Sequence, residues 1–244
     1  MNPATRNLIS KMLPYFYSPV LPEGSTLELD ADTSHHIAQV LRMKVGEELN
    51  LTDGLGQSVH AKLLSVTKKS CVVSVESRTN HPQQGRLVQL AIAPVKNTSR
   101  FEWFIEKSTE LGVQRIIPII TQRTEKERLR IDRLRQVAIA AMLQSQQVWL
   151  PQIEEPVSLG SLVKEWQESS IQRLIAHCLE SERTSIAHMK LSDCVGLMIG
   201  PEGDFASDEI ALAISAGFQP VQLGNTRLRT ETAGVVGVTC LRLP

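Results

Sequence analysis

The chain of 244 residues lacks several features that identify common protein classes. Its four cysteines are scattered without the CxxC spacing of zinc or redox sites, which favours reduced core residues over a metal centre. No apolar run approaches the roughly 18 residues of a membrane-spanning helix. The N-terminal segment has no continuous apolar stretch of the kind found in secretory signals. These absences predict a soluble, cytoplasmic protein with no metal and no membrane partner.

Familiar catalytic motifs are also missing. The sequence contains no GxxxxGK[ST] phosphate-binding loop, which excludes a P-loop ATPase. The pair Gly54 and Gly56 lacks the third glycine of a dinucleotide-binding fingerprint and follows no βαβ unit. Neither HExxH nor GxSxG occurs.

The sequence has no net charge, because 26 basic side chains balance 26 acidic ones. The distribution is nevertheless uneven: residues 96–135 carry 10 basic and 6 acidic side chains, whereas residues 136–244 carry 7 and 12. Most of the basic excess lies in QRTEKERLRIDRLR, residues 122–135. Such a cluster is typical either of a solvated helix face or of a surface that contacts nucleic-acid phosphates.

The hydrophobic pattern changes near residue 80. Before it, short apolar runs separated by turn signals predict a small β barrel or sandwich over the first 77 residues. One helical insertion, SHHIAQVLRM, interrupts these runs, with Ser34 as its expected N-cap. The polar segment 78–86, with Pro82 and Gly85, is expected to be a linker.

After the linker, strand-like and helix-like segments alternate to the end of the chain. The strands are expected at LVQLAIA, RIIPII, RLIAHC, CVGLMIG and PVQLG. Alternation of this kind predicts an α/β domain with a mainly parallel sheet covered by helices. Ligands of such sheets bind beyond the carboxyl ends of the strands.

Two strand-to-helix junctions stand out at those ends. They are IGPEGDF, residues 199–205, and LGNTRLRTETAG, residues 223–234. Ser207 and Thr230 as N-caps would explain part of each junction as an ordinary connection. That explanation leaves PEGD, Arg227 and Arg229 unaccounted for, and the pairing of two such loops predicts a binding site. His177, at the end of the third strand, is either a site-lining residue or a core histidine.

These motifs resemble those of the 16S ribosomal RNA uridine-N3 methyltransferases of the SPOUT class. The similarity extends to LAIAPVKNTSRFEWFIEKSTELGVQRIIPIIT, residues 90–121, and to HHIAQVLRMKVGEELNLTDGLG, residues 35–56, which resembles the family's PUA-like RNA-binding domain. It covers the chain from about Met12 to the end, so residues 12–77 would form the PUA-like β-barrel. Residues 87–244 would then form the methyltransferase domain, and residues 1–11 an extension expected to be disordered.

The resemblance implies a trefoil knot at the C-terminus, a homodimer with the active site at its interface, and S-adenosylmethionine as cofactor. The sulfonium of that cofactor would explain an acidic rather than a basic loop. The cofactor-binding positions implied by the motifs are His177, Gly200, Pro201, Glu202, Gly203, Leu223, Gly224, Leu228, Arg229 and Thr230.

The implied chemistry is methylation of N3 of a specific uridine in 16S ribosomal RNA or the small ribosomal subunit. Uridine N3 is a poor nucleophile while it carries its proton. Arg229 could stabilise the charge that develops on the uracil oxygens, and Glu202 or Glu231 could accept the proton. RNA contacts are expected at Arg42, Lys44, Arg123, Lys126 and Arg128.

One segment departs from the family pattern. Where many members have a glutamate and an arginine in EQS.R…P, this chain has Leu143 and Gln147, so the part that this segment plays in substrate binding is open. Two alternatives to the uridine-N3 reaction follow: a ribosome-assembly factor that binds RNA without catalysis, and a SPOUT enzyme that methylates a ribose 2′-hydroxyl.

Overall fold

The computed structural model describes residues 13–21, 23–125, 128–178 and 184–242. The predicted extension, residues 1–11, and the predicted RNA-contacting Lys126 lie outside these ranges. No helix within them is both long enough and apolar enough to cross a bilayer. The chain divides into two compact units between Pro82 and Gln83.

The N-terminal unit is built on a five-stranded sheet of order β1-β3-β4-β5-β2. Its strands are β1 Tyr15–Tyr17, β2 Thr26–Glu28, β3 Glu48–Thr52, β4 Gln57–Val66 and β5 Cys71–Asn80. Only β1 and β3 pair in parallel. Alternate side chains of β3 and β4, such as Leu49, Leu51 and Val59, are buried because successive side chains of a strand point to opposite faces. The prediction of a small β unit is confirmed.

A short helix, α1 Ala31–His35, precedes β3 and continues into one π-helical turn, His36–Val40. The prediction that Ser34 caps it is wrong. The N-cap is Asp30, whose carboxylate accepts hydrogen bonds from Thr33 N at 2.9 Å and Thr33 Oγ1 at 2.7 Å. Burial would raise the pKa of Asp30, but the hydrogen bonds from Thr33 outweigh it and lower that pKa. Ser34 is instead buried, and its Oγ accepts from Cys71 N at 2.8 Å.

The segment expected to be a linker begins as a strand. β5 continues to Asn80 and pairs with β4 as far as Gln57. Residues 78–80 of the expected linker are therefore part of the first sheet, because the strand ladder goes on through a polar sequence. The polar composition of residues 78–80 is typical of both an exposed strand end and a linker, so it could not distinguish the two.

The C-terminal unit contains eight strands and five α-helices among its described residues. They are β6 Leu87–Ile92, α2 Thr98–Glu110, β7 Arg115–Ile120, α3 Ile131–Gln144, β8 Gln152–Ile153, β9 Val157–Ser158, α4 Leu159–Gln167, β10 Gln172–Ala176, β11 Thr184–Ser185, β12 Cys194–Ile199, α5 Ser207–Ser215, β13 Gln219–Gln222 and α6 Thr230–Arg242. The sheet order is β11-β13-β10-β12-β6-β7-β8, with β9 beside β7. Every pairing in it is parallel, as predicted.

Both faces of this sheet are covered, which explains why its strands are almost continuously apolar. On one face, Leu90 and Ile92 of β6 belong to a core that α2, α3 and α6 complete. On the other face, Ala91 belongs to a second core, formed with α4 and α5. The side chains of β6 thus contribute to both hydrophobic cores.

The final helix lies directly on the middle of the sheet. A Cβ built on Gly234 would come within 2.6 Å of the Phe104 ring, and one on Gly237 within 2.5 Å of Leu197 Cδ2. Glycine at these two positions lets α6 approach α2 and β12 more closely than any other residue would allow. α6 therefore packs against α2, β6 and β12.

Candidate active site

A cavity of about 390 Å³ opens at the carboxyl ends of β10, β12 and β13. Because these strands are parallel neighbours, the segments that follow them meet at the same edge of the sheet. We call residues 200–206, which follow β12, the β12 loop, and residues 223–229, which follow β13, the β13 loop. The lining comes from both loops, from the last residues of β10, β12 and β13, from residues 177–178 after β10, and from the start of α6.

The cavity brings together most of the residues that the sequence predicted for cofactor binding. They are His177, Gly200, Pro201, Glu202, Leu223, Gly224, Leu228, Arg229 and Thr230. Gly203 belongs to the same loop but is not part of the lining. His177 is only 4% exposed and lies immediately after β10. Two expected catalytic residues, Arg229 and Glu202, lie in the lining and the third, Glu231, does not.

The β12 loop turns sharply as it leaves the sheet. Asp204 N donates to Pro201 O at 2.9 Å, which closes the turn. A Cβ on Gly200 would lie 3.1 Å from both the ring and the backbone nitrogen of Phe205, so glycine lets the loop fold back on itself. Phe205 is buried and fixes the far end of the loop in the core.

Asp204 was not among the predicted site residues. It adopts a left-handed backbone conformation, with φ 63°, and it lines the cavity. Its Oδ2 accepts a hydrogen bond from Cys178 N at 2.7 Å, and its Oδ1 accepts one from Phe205 N at 2.8 Å. This carboxylate therefore connects the β12 loop to the segment after β10. The only sequence signal was the acidic residue in PEGD, and its partner lies 26 positions away.

Arg123, expected to contact RNA, also holds the β12 loop. Its guanidinium donates to Gly203 O at 2.6 Å and to Phe205 O at 3.5 Å. A second link comes from Glu209, whose carboxylate accepts from Gln122 N at 2.9 Å and from Ala206 N at 2.8 Å. Ala206 is the N-cap of α5, so the expectation that Ser207 caps this helix is wrong.

The β13 loop is much less constrained. Gly224 has φ 155°, which a side chain rarely permits, and a Cβ there would meet nothing within 4 Å. Arg227 and Arg229 are exposed, and neither guanidinium makes a hydrogen bond or ion pair with a described residue. One side-chain hydrogen bond lies at the start of the loop, from Gln222 Nε2 to Asn225 Oδ1 at 2.9 Å.

The start of α6 joins the two loops. Thr230 is buried and its hydroxyl donates to Gly200 O at 3.1 Å, so this side chain ties α6 to the β12 loop. It is the first residue of the helix rather than its N-cap, which corrects the alternative interpretation of the second junction. Glu231 is buried and faces Arg100 of α2 at 3.8 Å, because the helix turns successive side chains in different directions.

Comparison with known proteins identifies the family. A model of the RNA methyltransferase domain matches residues 82–242, and a model of the RNA methyltransferase PUA domain matches residues 29–76. The chain belongs to this family of RNA methyltransferases.

Relatives match this methyltransferase over nearly its whole length. Ribosomal RNA small subunit methyltransferase E of Rickettsia conorii is 30% identical over 228 residues, which cover 91% of this chain and 92% of that protein. The protein of the same name from Neisseria gonorrhoeae, crystallised with S-adenosyl methionine, has a TM-score of 0.84, 27% identity, and coverage of 93% and 95%. The crystal structure of a probable rRNA methyltransferase from Porphyromonas gingivalis has a TM-score of 0.86 and 37% identity, and the match covers 93% of this chain and 95% of that one. The SPOUT-type fold with a PUA-like N-terminal unit is confirmed.

The segment that departs from the family pattern has a structural contact in this methyltransferase. Gln147 Nε2 donates to Thr109 O at 3.0 Å and to Glu110 O at 2.8 Å, at the end of α2. Leu143 is half-buried near the end of α3. Gln147 thus adds a side-chain donor to two carbonyl groups at the end of α2, one of which, Thr109 O, also accepts from Gly112 N at 2.9 Å.

Three further basic residues predicted for RNA binding are exposed, and the fourth, Lys126, lies outside the described residues. Arg42 and Lys44 follow the π-helical turn of the N-terminal unit, and Arg42 has φ 54°. Arg128 precedes α3 in the C-terminal unit. All three side chains are available to solvent, whereas Arg123 already has two partners within its own chain.

Proposed function

We propose that this methyltransferase transfers a methyl group from S-adenosylmethionine to N3 of one uridine in small-subunit ribosomal RNA, in the cytoplasm. The observation that carries the proposal is the cavity at the strand ends, where a loop held in place faces a loop whose Arg229 side chain has no partner among the described residues. The similarity to enzymes that share the name small subunit methyltransferase E supplies the substrate.

The cavity suits S-adenosylmethionine in size and in lining. A volume of about 390 Å³ is within the usual range for small-molecule sites. Exposed backbone groups at Leu223 and Gly224 can pair with the edge of a flat heterocycle, while Leu228 and Ala176 supply apolar contact. We propose that these residues hold the cofactor together with His177, Gly200, Pro201, Glu202, Gly203, Arg229 and Thr230. When bound, the cofactor supplies an electrophilic methyl group.

The protein must then orient the uracil and deal with its N3 proton. Most of the rate gain is expected from alignment of the attacking nitrogen with the methyl group. As N3 loses its proton, negative charge spreads onto the uracil oxygens. The guanidinium of Arg229 lines the cavity and has no partner among the described residues, which supports a role in stabilising that charge.

We propose Glu202 as the acceptor of the N3 proton. It is exposed in the cavity lining, whereas the carboxylate of Glu231 is buried against Arg100 and faces away from the lining. Glutamine keeps the size and one acceptor oxygen of the side chain, so the Glu202→Gln variant should weaken cofactor binding only slightly and lose methyl transfer. Retained activity with normal pH dependence would remove Glu202 from the mechanism.

RNA contact is proposed for Arg42 and Lys44 in residues 12–77, taken as the RNA-binding domain, and for Arg123, Lys126 and Arg128 in residues 87–244, taken as the catalytic domain. Neutralising the exposed members of this set should weaken RNA binding uniformly across sequences and reduce its salt dependence. An unchanged salt slope would contradict the assignment.

We propose in addition that the protein acts as a homodimer, as the resemblance implies. Trp103 of α2 is 42% exposed, so its indole ring offers apolar surface that a second copy of the chain could cover. Light scattering on the purified protein should give twice the mass of 27.1 kDa. A monomer at micromolar concentration would contradict this part of the proposal.

Nucleoside mass spectrometry of ribosomal RNA from a deletion strain tests the reaction itself. The strain should lack N3-methyluridine, and the purified protein with S-adenosylmethionine should restore it in vitro. Loss of a 2′-O-methylated nucleoside instead would indicate the ribose reaction. An unchanged nucleoside profile would indicate an assembly factor without catalysis.

A further inference from the structure

The β12 loop depends on one carboxylate that belongs to none of the predicted site residues. Asp204 accepts two backbone hydrogen bonds, from Cys178 N at 2.7 Å and from Phe205 N at 2.8 Å. Cys178 follows β10 and Phe205 follows β12, so the two donors belong to different strand ends. A single side chain therefore sets the spacing of two walls of the cavity.

The backbone at Asp204 is in a conformation that favours glycine. Its φ of 63° is unfavourable for a residue with a side chain, although aspartate and asparagine tolerate it better than most. Glycine at this position would adopt the turn without that cost. The turn alone therefore does not explain the aspartate, whereas the two hydrogen bonds that its carboxylate accepts do.

We infer that Asp204 is a positioning residue for the cofactor: by bonding Cys178 N and Phe205 N it holds the segment after β10 and the β12 loop at the separation that cofactor binding requires. This inference rests on the proposed function and deepens it. Both ionic hydrogen bonds are short, and bonds of this kind are about twice as strong as those between neutral groups.

Two substitutions separate the carboxylate from the backbone conformation. Asp204→Gly keeps the turn and removes both acceptors, whereas Asp204→Asn keeps the tolerance for positive φ and one acceptor oxygen. Asp208→Asn is the matched control. Asp208 lies four positions further along and is exposed, and within the described part of the chain its carboxylate accepts only from the Gln122 side chain, at 2.6 Å.

The experiment measures S-adenosylmethionine affinity by calorimetry and RNA affinity by filter binding, for the full chain and each variant. We expect Asp204→Gly to weaken cofactor affinity about tenfold and Asp204→Asn about threefold, with RNA affinity and urea unfolding midpoint little changed. Asp208→Asn should match the wild type. In the absence of cofactor, the Cys178 amide should exchange its hydrogen faster in Asp204→Gly than in the wild type.

The outcomes distinguish the inference from the function on which it rests. Wild-type protein that binds no S-adenosylmethionine would overturn the proposed function, and the positioning role with it. Wild-type affinity in Asp204→Gly would overturn the positioning role alone. Equal losses of cofactor and RNA affinity would also overturn it, since they would indicate a general disturbance of the unit.

Discussion

The β12 loop and the β13 loop face the same cavity but are held very differently. The β12 loop is fixed by Asp204, by Arg123, and by the Thr230 hydroxyl on Gly200 O. In the β13 loop, Arg227 and Arg229 are exposed and have no partner among the described residues. The difference suggests a division of work in which one loop keeps the shape of the site and the other presents charge to a large substrate.

The strongest test of this division is Arg229→Ala. Removing a group that stabilises transition-state charge should lower the methyl-transfer rate by about 100-fold or more. Cofactor affinity measured by calorimetry should change much less than the rate, because Arg229 is one of many residues proposed to hold the cofactor and the β12 loop remains intact. Arg229→Lys keeps the charge without the planar geometry and should recover part of the rate. Full activity in Arg229→Ala would end the case for charge stabilisation by the β13 loop.

A smaller effect is expected from Thr230→Val, which keeps the shape of the side chain and removes its hydroxyl. Gly200 O would then be buried without its donor, at a cost of about 1–3 kcal/mol in the free energy of unfolding. Urea unfolding measures this loss. Thr230→Ser retains the hydroxyl and should lose less; equal losses in both variants would mean that packing, and not the hydrogen bond, joins α6 to the loop.

Arg123→Ala should weaken the binding of both the cofactor and the RNA by a few-fold. Losing its bond to Gly203 O should weaken cofactor affinity about threefold, and losing its charge should weaken RNA binding. Arg128→Ala is the matched control, because Arg128 is exposed and precedes α3. The substitution removes the same charge and leaves the hydrogen bonds of the β12 loop in place. It should weaken RNA binding alone. An equal loss of cofactor affinity in Arg128→Ala would contradict the claim that Arg123 supports cofactor binding through the β12 loop.

The smallest effect is expected from Asn225→Ala in the β13 loop. The hydrogen bond between Gln222 and Asn225 is exposed, so its loss should change the free energy of unfolding by less than about 0.5 kcal/mol. Cofactor affinity should stay within about twofold. A large loss in either quantity would show that the β13 loop is held more firmly than its contacts indicate.

The sequence predicted the long strands of the parallel sheet and the loops that follow them, because buried parallel strands are continuous apolar runs. β8, β9 and β11 have two residues each and are too short to show any period. The caps at Ser34 and Ser207 were predicted from residue type, and the true caps are Asp30 and Ala206. The role of Asp204 could not be predicted, since its partner Cys178 is distant in sequence and donates through its backbone.

Glu231 shows a different reason why the sequence alone did not predict the site correctly. Its place beside Arg229 and Thr230 in the sequence suggested a shared site, but one step along a helix rotates a side chain by about 100°. Thr230 therefore reaches Gly200, and Glu231 reaches Arg100 on another helix. Adjacent positions in a motif need not serve the same chemistry.

The two glycines of α6 make the pocket depend on contacts between distant parts of the sequence. Gly234 and Gly237 let α6 pack against Phe104 of α2 and Leu197 of β12, so the helix reaches its position only when those elements are in theirs. Thr230 and Ala233 of the same helix form part of the pocket wall. A chain in which α6 is undocked would have an incomplete pocket, so capture of the methyl donor reports that the last helix is in place.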